Sequence, residues 1–475
     1  MKISTSAEAE NQGRYRRILF SIAFASFMVN VDTHIVNISL PTIAAEFNAD
    51  TSRVSWVSLS YQLTVTGLLL FFGRMGDKVS IKSLFLFGYG LFTLSSLLCG
   101  IVNSLEALVA ARALQGVGAS VLYALTPAMV PRFLPANMRG PGFGFLATAA
   151  ALGIMVANPL GGLITGYLSW QWIFLINVPV GIVAMAVCWR VLDEREQVRD
   201  ARTVDMAGVM LSFLFLVGLT VVLNRGPAYG WTSPFITATL GLVVLALLAF
   251  VLRERRTTSP LIDYGLFKNY NLRYANIANF FALAFLGGNN FIIPFYLVLV
   301  KGLEPAQAGA LLLVYALTFV FVGPIAGRLA NRISPRTLCT GALLLGALLA
   351  LSFSLLLRMD GLYFVIGYFV FFGVVYATFI PSNNNVIMGM APEGKQGQVS
   401  ASFRMIGRVG ITFGICLFET LFSQQILSAA QATMATLRAL PKQTLIDAFS
   451  SLYLTGALIM AISALFSWRA RTQEK

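Results

Sequence analysis

The sequence predicts an all-α membrane protein that crosses the bilayer fourteen times. Of its 475 residues, 57% are hydrophobic and only 11% are charged, and the mean hydropathy is +0.76. A typical soluble domain is about 25% charged. Fourteen apolar stretches reach the length of about 20 residues that a membrane-spanning helix needs. Positive charge also alternates between successive loops, as it does in multi-pass membrane proteins.

Six spans are predicted in the first part of the chain. The first follows Arg14, Arg16 and Arg17 and has no small-residue cleavage site, so it is interpreted as a retained helix rather than a signal peptide. The six apolar windows lie at residues 18–40, 55–73, 84–102, 107–131, 142–166 and 172–190.

Eight more spans follow, and the first two of them form a separate pair. Charged loops at residues 192–205 and 253–263 enclose this pair, whose windows lie at 206–224 and 234–252. The remaining six windows lie at 275–300, 306–327, 337–357, 361–385, 400–423 and 449–468. The four cysteines all fall within apolar windows, which argues against a disulfide framework.

The distribution of Lys and Arg predicts that both termini are cytoplasmic. With fourteen spans, 25 of the 34 basic residues lie in cytoplasmic segments, six lie in outer loops and three lie within spans. Cytoplasmic loops retain positive charge, and an odd number of spans would remove this asymmetry. The net charge of +14 is therefore attributed to topology and to contact with anionic lipid, and nucleic-acid binding is not expected.

A ten-residue repeat indicates how the spans are organised. The segment GRMGDKVSIK at residues 73–82 recurs as GRLANRISPR at residues 327–336. The copies follow the second and the tenth spans, whereas two plain six-helix halves would place them six spans apart. The sequence thus predicts an N-terminal six-helix bundle at 1–200, a two-helix insert at 201–262 and a C-terminal six-helix bundle at 263–475. Repeated bundles that rock about a central site are a transporter design.

Asp32 and Arg112 are ionisable residues inside apolar spans. At about 1.5 Å per residue, Asp32 lies roughly 12 Å below the outer end of the first span. By the same arithmetic Arg112 lies roughly 8 Å below the outer end of the fourth. Two such groups at one depth are less costly if they pair in the bundle interior. A proton or a cationic substrate could then compete with Arg112 for Asp32, while the alternative is a static pair that joins two helices.

Other polar residues within spans are weaker candidates. Glu419 is interpreted as a second proton-coupling site, with the alternative that its carboxylate reaches water near the outer end. His34, the sole histidine, points about 160° away from Asp32 on a helical wheel and is interpreted as structural. Arg404 and Arg408 are interpreted as interfacial anchors. Candidate substrate contacts are Asn37, Gln115, Asn289 and Asn290, with interhelical hydrogen bonding as their alternative.

Four segments together resemble the major facilitator superfamily and, within it, the fourteen-span drug:proton antiporters. Residues 73–82 are similar to the family's loop signature between the second and third spans, and RALQGVG at 112–118 is similar to its fourth-span motif. The segments VDTHIVNISLP at 31–41 and WQWIFLINVP at 170–179 resemble signatures of the fourteen-span branch. The resemblance covers essentially the whole chain. It implies the major facilitator fold, a proton acceptor at Asp32 and its charge partner at Arg112.

A cytoplasmic gate is predicted at Gly73, Asp77, Lys78 and Lys82, with the alternative that these residues only determine the positive-inside orientation. Two positions in this loop depart from the family pattern, since Ser80 replaces a glycine and Ile81 replaces a basic residue. In the fifth span, where antiporters have Gly-Pro ahead of a glycine pair, the proline is displaced by one position, to Pro159. Small residues recur there at every fourth position, from Ala149 to Gly161, and are interpreted as helix packing.

These observations together predict a proton-coupled secondary exporter of amphipathic, cationic drugs or toxic organic compounds, acting by alternating access. Export of one dedicated metabolite or siderophore is the alternative, and a transport-inactive membrane sensor is the alternative of another class. No metal-ligand cluster or nucleophile motif supports an enzyme, and no cofactor is expected beyond the proton gradient. The expected partners are a small organic substrate, protons and the lipid bilayer of the inner membrane. A monomer is expected, and the need for a periplasmic adaptor is left open.

Overall fold

The structure is a computed structural model that describes residues 2–76, 78–192, 205–257, 265–329, 333–390, 396–426 and 433–470. Within these ranges the chain is helical apart from its loops, one short 3-10 turn at Leu266–Lys268 and one isolated bridge between Asp50 and Thr433. Fourteen helical segments are long and apolar enough to cross a membrane. The predicted all-α class and the number of spans are confirmed.

Seven helices form the N-terminal part of the molecule. The sixth span is divided by a break at Ile176 into two helices, α6 and α7. The bounds are α1 Lys2–Glu46, α2 Thr51–Met75, α3 Ile81–Ile101, α4 Leu105–Phe133, α5 Ala136–Tyr167, α6 Trp172–Leu175 and α7 Asn177–Val191.

Nine helices follow. The inserted pair comes first, and the six C-terminal spans include one extra short helix, α15, in the outer loop before the last span. The bounds are α8 Met206–Tyr229, α9 Pro234–Arg256, α10 Tyr270–Leu299, α11 Pro305–Leu329, α12 Pro335–Leu356, α13 Tyr363–Gly389, α14 Gln396–Ile426, α15 Met434–Ala439 and α16 Lys442–Arg469.

The helices extend beyond the predicted windows because polar residues cap their ends. Asp50 accepts a hydrogen bond of 2.6 Å from the Arg53 amide and so starts α2 four residues before the predicted window. Ser80 and Ser104 cap α3 and α4 in the same way. Such side chains satisfy amides that the first helical turn leaves without partners. A hydropathy window detects the apolar middle of a span and misses these polar ends.

The two halves meet at their outer ends. A Cβ atom added to Gly162 in α5 would lie 2.5 Å from the carbonyl oxygen of Pro305 in α11, and one added to Gly309 would lie 2.8 Å from that of Asn158. One hydrophobic cluster runs through the outer part of the N-terminal helices and into the C-terminal ones. A second cluster, around Phe72, is confined to the inner part of the N-terminal helices.

The inner ends of the halves are apart. Space is open around Gly144 in α5 and around Gly323 and Gly327 in α11. The hydrogen bonds described between the two halves lie at the outer end, from Thr420 to Leu223 on the inserted pair and from Asn224 to Glu419, and at mid-depth, from Arg408 to Gln62. Because the described contacts between the halves lie at the outer end and at mid-depth, we interpret the structure as inward-facing. The division into residues 1–200, 201–262 and 263–475 stays a prediction.

Candidate functional site

Asp32 and Arg112 form a buried ion pair between α1 and α4. Arg112 Nη1 donates to Asp32 Oδ2 over 2.8 Å, and the two side chains are 1% and 0% exposed. The similar depths calculated from the sequence thus agree with the direct contact between the two side chains. An ion pair without access to water is stable only if its remaining hydrogen-bonding atoms are also satisfied.

Two amides complete the hydrogen bonding of Asp32. Gln115 Nε2 and Asn177 Nδ2 donate to its Oδ1 over 2.8 and 3.0 Å, and Gln115 Oε1 accepts from Arg112 over 2.6 Å. Every partner of the carboxylate is a donor, as an ionised carboxylate requires. Gln115 is buried in this conformation, and its amide is engaged with Asp32, Arg112 and Ser96, so its role as a substrate contact stays a prediction.

The fourth-span motif also explains how α4 approaches its neighbours. Arg112 lies with its guanidinium carbon 4.0 Å from the ring centre of Tyr61 in α2, and its Nε donates to the Val57 carbonyl over 3.1 Å. A Cβ atom at Gly116 would lie 2.8 Å from the Tyr61 carbonyl oxygen, and one at Gly118 would lie 2.6 Å from a backbone nitrogen of α3. The glycines bring the helices close enough for Arg112 to reach its partners.

Glu419 is buried at the outer contact between the halves. Its side chain is 0% exposed, so the alternative that it reaches water at the span end is wrong. Asn224 Nδ2, on inserted helix α8, donates to Glu419 Oε2 over 2.8 Å. The other oxygen, Oε1, has no hydrogen-bond partner among the described residues. A buried carboxyl with an open acceptor atom is costly while it is ionised.

Asn224 links three parts of the molecule and was not singled out from the sequence. Its Oδ1 accepts from Trp56 Nε1 over 2.7 Å and from Ser52 Oγ over 3.0 Å, both on α2. Its Nδ2 donates to Ser55 Oγ over 3.1 Å as well as to Glu419. The first inserted helix therefore bonds to both halves at the closed outer end.

A second polar group lies between the halves, nearer the cytoplasm. Arg408 in α14 lies with its guanidinium carbon 3.9 Å from the ring centre of Tyr123 in α4, and its Nη1 donates to Gln62 Oε1 in α2 over 3.4 Å. The Tyr123 hydroxyl donates to Asn30 Oδ1 over 3.2 Å and lies 3.3 Å from Thr33 Oγ1. The prediction of Arg408 as an interfacial anchor is wrong, because it lies inside the molecule.

The remaining polar candidates differ in how far they are buried. His34 and Asn37 are half-buried on α1, and Asn37 Oδ1 accepts from Ser58 Oγ over 3.2 Å. Asn290 is also half-buried. Asn289 is 1% exposed, and its Oδ1 accepts from the hydroxyls of Tyr368 in α13 and Tyr453 in α16. These bonds join three helices of the C-terminal half, and a substrate contact at Asn289 stays a prediction.

The predicted gate lies at the inner end of the N-terminal half. Open space surrounds Gly73, Lys78 is half-buried and Lys82 is buried in the first turn of α3. Asp77 lies outside the described residues. Arg132 at the end of α4 donates to the Gly76 carbonyl over 2.9 Å and so fixes this corner. The gate role of these four residues stays a prediction.

The small residues of α5 pack against helices, as predicted. Cβ atoms at Gly153 and Gly161 would lie 2.6 and 2.7 Å from carbonyl oxygens of Phe27 and Ile35 in α1. The adjacent Gly162 faces α11 instead, so α5 packs against α1 in its own half and against α11 in the other. Within the described part of the chain, no group of three His, Cys, Asp or Glu side chains could hold a metal ion.

Comparison with known proteins supports a transporter. The model of the Major Facilitator Superfamily matches residues 22–206 and 201–415. The riboflavin transporter RibZ of Clostridioides difficile is 32% identical over 409 residues, covering 86% of this chain and 88% of its own. The putative multidrug resistance protein MdtD of Pectobacterium atrosepticum is 27% identical over 451 residues, covering 94% of each chain.

Solved structures share the fold. A bacterial homolog of the human lysosomal transporter Spinster, inward-facing and unoccupied, aligns with a TM-score of 0.69 at 12% identity over 96% of this chain and 97% of its own. A D-xylose–proton symporter aligns with a TM-score of 0.64 at 13% identity over 94% and 96%. The protein described here is a multi-pass membrane transporter with fourteen candidate spans that belongs to the Major Facilitator Superfamily.

Proposed function

We propose that this protein is a proton-coupled exporter of amphipathic organic compounds in the bacterial inner membrane, working by alternating access as a monomer. The observation that carries the proposal is the fully buried pair of Asp32 and Arg112. Ionisable groups inside membrane spans are costly and are usually kept for ion or substrate movement. The proton gradient supplies the energy, and no cofactor takes part.

The inward-facing structure corresponds to one step of such a cycle. Asp32 carries three donor contacts, from Arg112, Gln115 and Asn177, which suit the carboxylate after its proton has left for the cytoplasm. Substrate would enter the cavity from the cytoplasm in this state. Opening of the outer side would let a periplasmic proton reach Asp32 and displace Arg112, while the substrate leaves.

Glu419 supplies a second step in this scheme. Its carboxyl is buried at the outer contact with one oxygen that has no described partner. Protonation would remove the cost of burying its charge and so favour the closed outer side. Periplasmic protons would thereby both release substrate and drive the return to the inward-facing state.

Two kinds of relative suggest two substrate ranges. MdtD is named as a putative multidrug resistance protein, which supports export of several compounds. RibZ is named as a riboflavin transporter, which supports one dedicated metabolite. A dye and drug panel tested beside riboflavin separates the two, because a broad exporter moves several members of the panel and a dedicated one moves a single compound.

The test is transport into inside-out vesicles with an acidic lumen. Wild-type uptake of dye is expected to collapse when a protonophore is added. Asp32→Asn is expected to abolish gradient-driven uptake while the purified variant keeps its helical circular dichroism spectrum. Asp447→Asn is the matched control, because Asp447 also pairs with an arginine, Arg358, but lies at the exposed outer surface.

Uptake that persists in Asp32→Asn, or that ignores the gradient, would overturn the proposal. Absence of flux for every compound in the wild-type protein would favour the sensor alternative instead.

A further inference from the structure

Two arginines lie one turn apart on the same side of α14. Gly407, Gly410 and Gly414 face α10, since Cβ atoms there would lie within 2.6 Å of its atoms. At 100° per residue, Arg404 and Arg408 lie well away from this glycine face. Arg408 is half-buried and reaches across to the N-terminal half, and Arg404, one turn nearer the cytoplasm, is exposed. Arg408 therefore faces the N-terminal half, and Arg404 lies about 40° from it on the helical wheel, on the same side of α14.

Neither arginine has an acidic partner among the side chains that the structure describes. The carboxylate of Asp32 is bonded to Arg112, and that of Glu419 is sealed at the outer contact. The other described acidic side chains lie at the outer ends of helices or, as Asp205 and Glu254 do, at the inner end of the inserted pair. The described lining of the cavity thus carries a positive charge.

Such a charge has a strong effect at this depth. Arg408 is half-buried among helices of the membrane-spanning region, where charge is screened less than in bulk water. A cleft lined by one sign of charge concentrates ligands of the opposite sign. An unpaired guanidinium in a span is also costly, and the cost falls when an anion binds.

The neighbours of Arg408 are suited to a flat ligand. Its guanidinium lies over the ring of Tyr123, whose hydroxyl contacts Asn30 and Thr33, and its Nη1 donates to Gln62 Oε1. Guanidinium and tyrosine planes accept an aromatic ring by stacking, and the guanidinium donates to carboxylate or acidic oxygen atoms.

We propose that this cavity binds organic anions with a flat aromatic body, with Arg408 and Arg404 as their charge partners. The proposal rests on the transport function proposed above and specifies its substrate class. It reverses the cationic substrate expected from the sequence, because the carboxylate that was to attract a cation is occupied by Arg112.

The test uses two dyes that share one aromatic core and differ in charge. Fluorescein is an anion at pH 8 and rhodamine 123 is a cation. Binding to the purified full chain in detergent is measured by fluorescence anisotropy. The wild-type protein is expected to bind fluorescein about tenfold more tightly, since hydrogen bonds between charged groups are among the strongest in proteins. Added salt is expected to weaken the binding of fluorescein.

Substitutions test whether the two arginines cause the preference for fluorescein. Arg408→Gln and Arg404→Gln are each expected to weaken fluorescein binding about tenfold, the size of effect that one charge-assisted contact provides, without weakening rhodamine 123. Arg408→Lys keeps the charge and is expected to lose less. Arg358→Gln removes a charge at the exposed outer surface and is expected to change neither dye.

Tighter binding of rhodamine 123, binding of neither dye, or an equal loss for both dyes in Arg408→Gln would overturn the proposal. The last result would mark Arg408 as structural. Gradient-driven uptake that still depends on Asp32, combined with fluorescein binding that is unchanged in Arg408→Gln, would leave the transport function standing and remove only the substrate class.

Discussion

Asn224 on the first inserted helix donates a hydrogen bond of 2.8 Å to Glu419 in the C-terminal half. The same side chain bonds to Ser52, Ser55 and Trp56 in the N-terminal half. Thr420, the next residue along, donates to the carbonyl oxygen of Leu223 over 2.7 Å. The outer end of the insert therefore forms hydrogen bonds to both bundles at the closed outer side.

Asn224→Ala is expected to loosen the outer closure. The substitution leaves several buried polar atoms without partners, at a cost of about 1–3 kcal/mol for each. A Leu59→Cys reporter measures the change, since Leu59 is fully buried on the same face of α2 as Ser55 and Gln62. Labelling from the outer side by a membrane-impermeant maleimide is expected to become about fivefold faster or more.

The control for this experiment is Thr239→Ala on the second inserted helix. The Thr239 hydroxyl donates only to the Phe235 carbonyl of its own helix, so the outer contact is not involved. The native cysteines are all buried and contribute little background. Labelling of Leu59→Cys that is equally fast with and without Asn224 would show that the outer closure does not depend on the insert.

Glu419→Gln is expected to hold the outer side closed. Glutamine keeps an oxygen to accept from Asn224 and carries no charge, so it resembles the protonated acid. The cost of burying a carboxylate is removed, and the closed state is favoured. Slower labelling of Leu59→Cys and slower gradient-driven transport are expected together. Faster labelling would instead mean that the negative charge of Glu419 stabilises the closure.

The pairing of Asp32 with Arg112 was predictable because depth follows directly from residue number in a straight helix. Asn177 belongs to a segment that resembles a family signature, but its bond to Asp32 needs the packing of α7 against α1, which a sequence does not specify. The contacts of Asn224 were even harder to predict. This residue stands at the end of a predicted span, where polar residues are ordinary, and its acidic partner is 195 positions away.

The positive charge between the two halves could not be predicted from the sequence alone. Arg404 and Arg408 lie near the inner end of a span, and long basic side chains there usually extend to the membrane surface. Only the orientation of α14, set by the glycines that pack on α10, turns these arginines toward the other half. The helix count, by contrast, depends on local hydropathy and was predictable.

Arg112→Lys is expected to abolish transport although lysine retains the positive charge. The Arg112 guanidinium contacts Asp32, Gln115 and the Val57 carbonyl at once and stacks on Tyr61, and a single ammonium group cannot reproduce this geometry. Loss of transport is expected, with a lowered melting temperature in detergent.

A double variant separates charge from geometry at this pair. Arg112→Gln alone leaves a buried carboxylate uncompensated and is expected to cost about 3–5 kcal/mol of stability. Adding Asp32→Asn is expected to recover part of that loss, while transport stays absent. Additive losses in the double variant would mean that the two side chains contribute independently.

The loop end of the insert is expected to respond to acid. Asp205 Oδ1 accepts from Arg253 Nε over 2.7 Å and from the Gly208 amide over 3.0 Å. Burial opposes ionisation of Asp205, but these contacts outweigh it and hold the pKa of Asp205 below its usual value of 3.8. Its stabilising contribution is therefore present above pH 3.8 and is lost as the pH falls through the lower pKa of the folded state.

Asp205→Asn tests this expectation. The variant keeps an oxygen to cap α8 and loses the ion pair, at a cost of no more than about 1 kcal/mol because Arg253 is half exposed. At pH 7 the variant is expected to melt at a lower temperature than the wild type. This difference is expected to shrink near pH 3. A difference that is the same at both pH values would assign the effect to packing rather than to charge.

Gly162→Ala is expected to shift the protein toward the outward-facing state. A Cβ atom at Gly162 would lie 2.5 Å from the Pro305 carbonyl oxygen and 2.9 Å from the Gly309 Cα, so both backbones must separate. Faster labelling of Leu59→Cys from the outer side is expected. Gly144→Ala on the same helix is the matched control, because its Cβ meets open space and should only raise helix propensity, by up to about 1 kcal/mol. Equal labelling in the two variants would contradict a tight outer contact between α5 and α11.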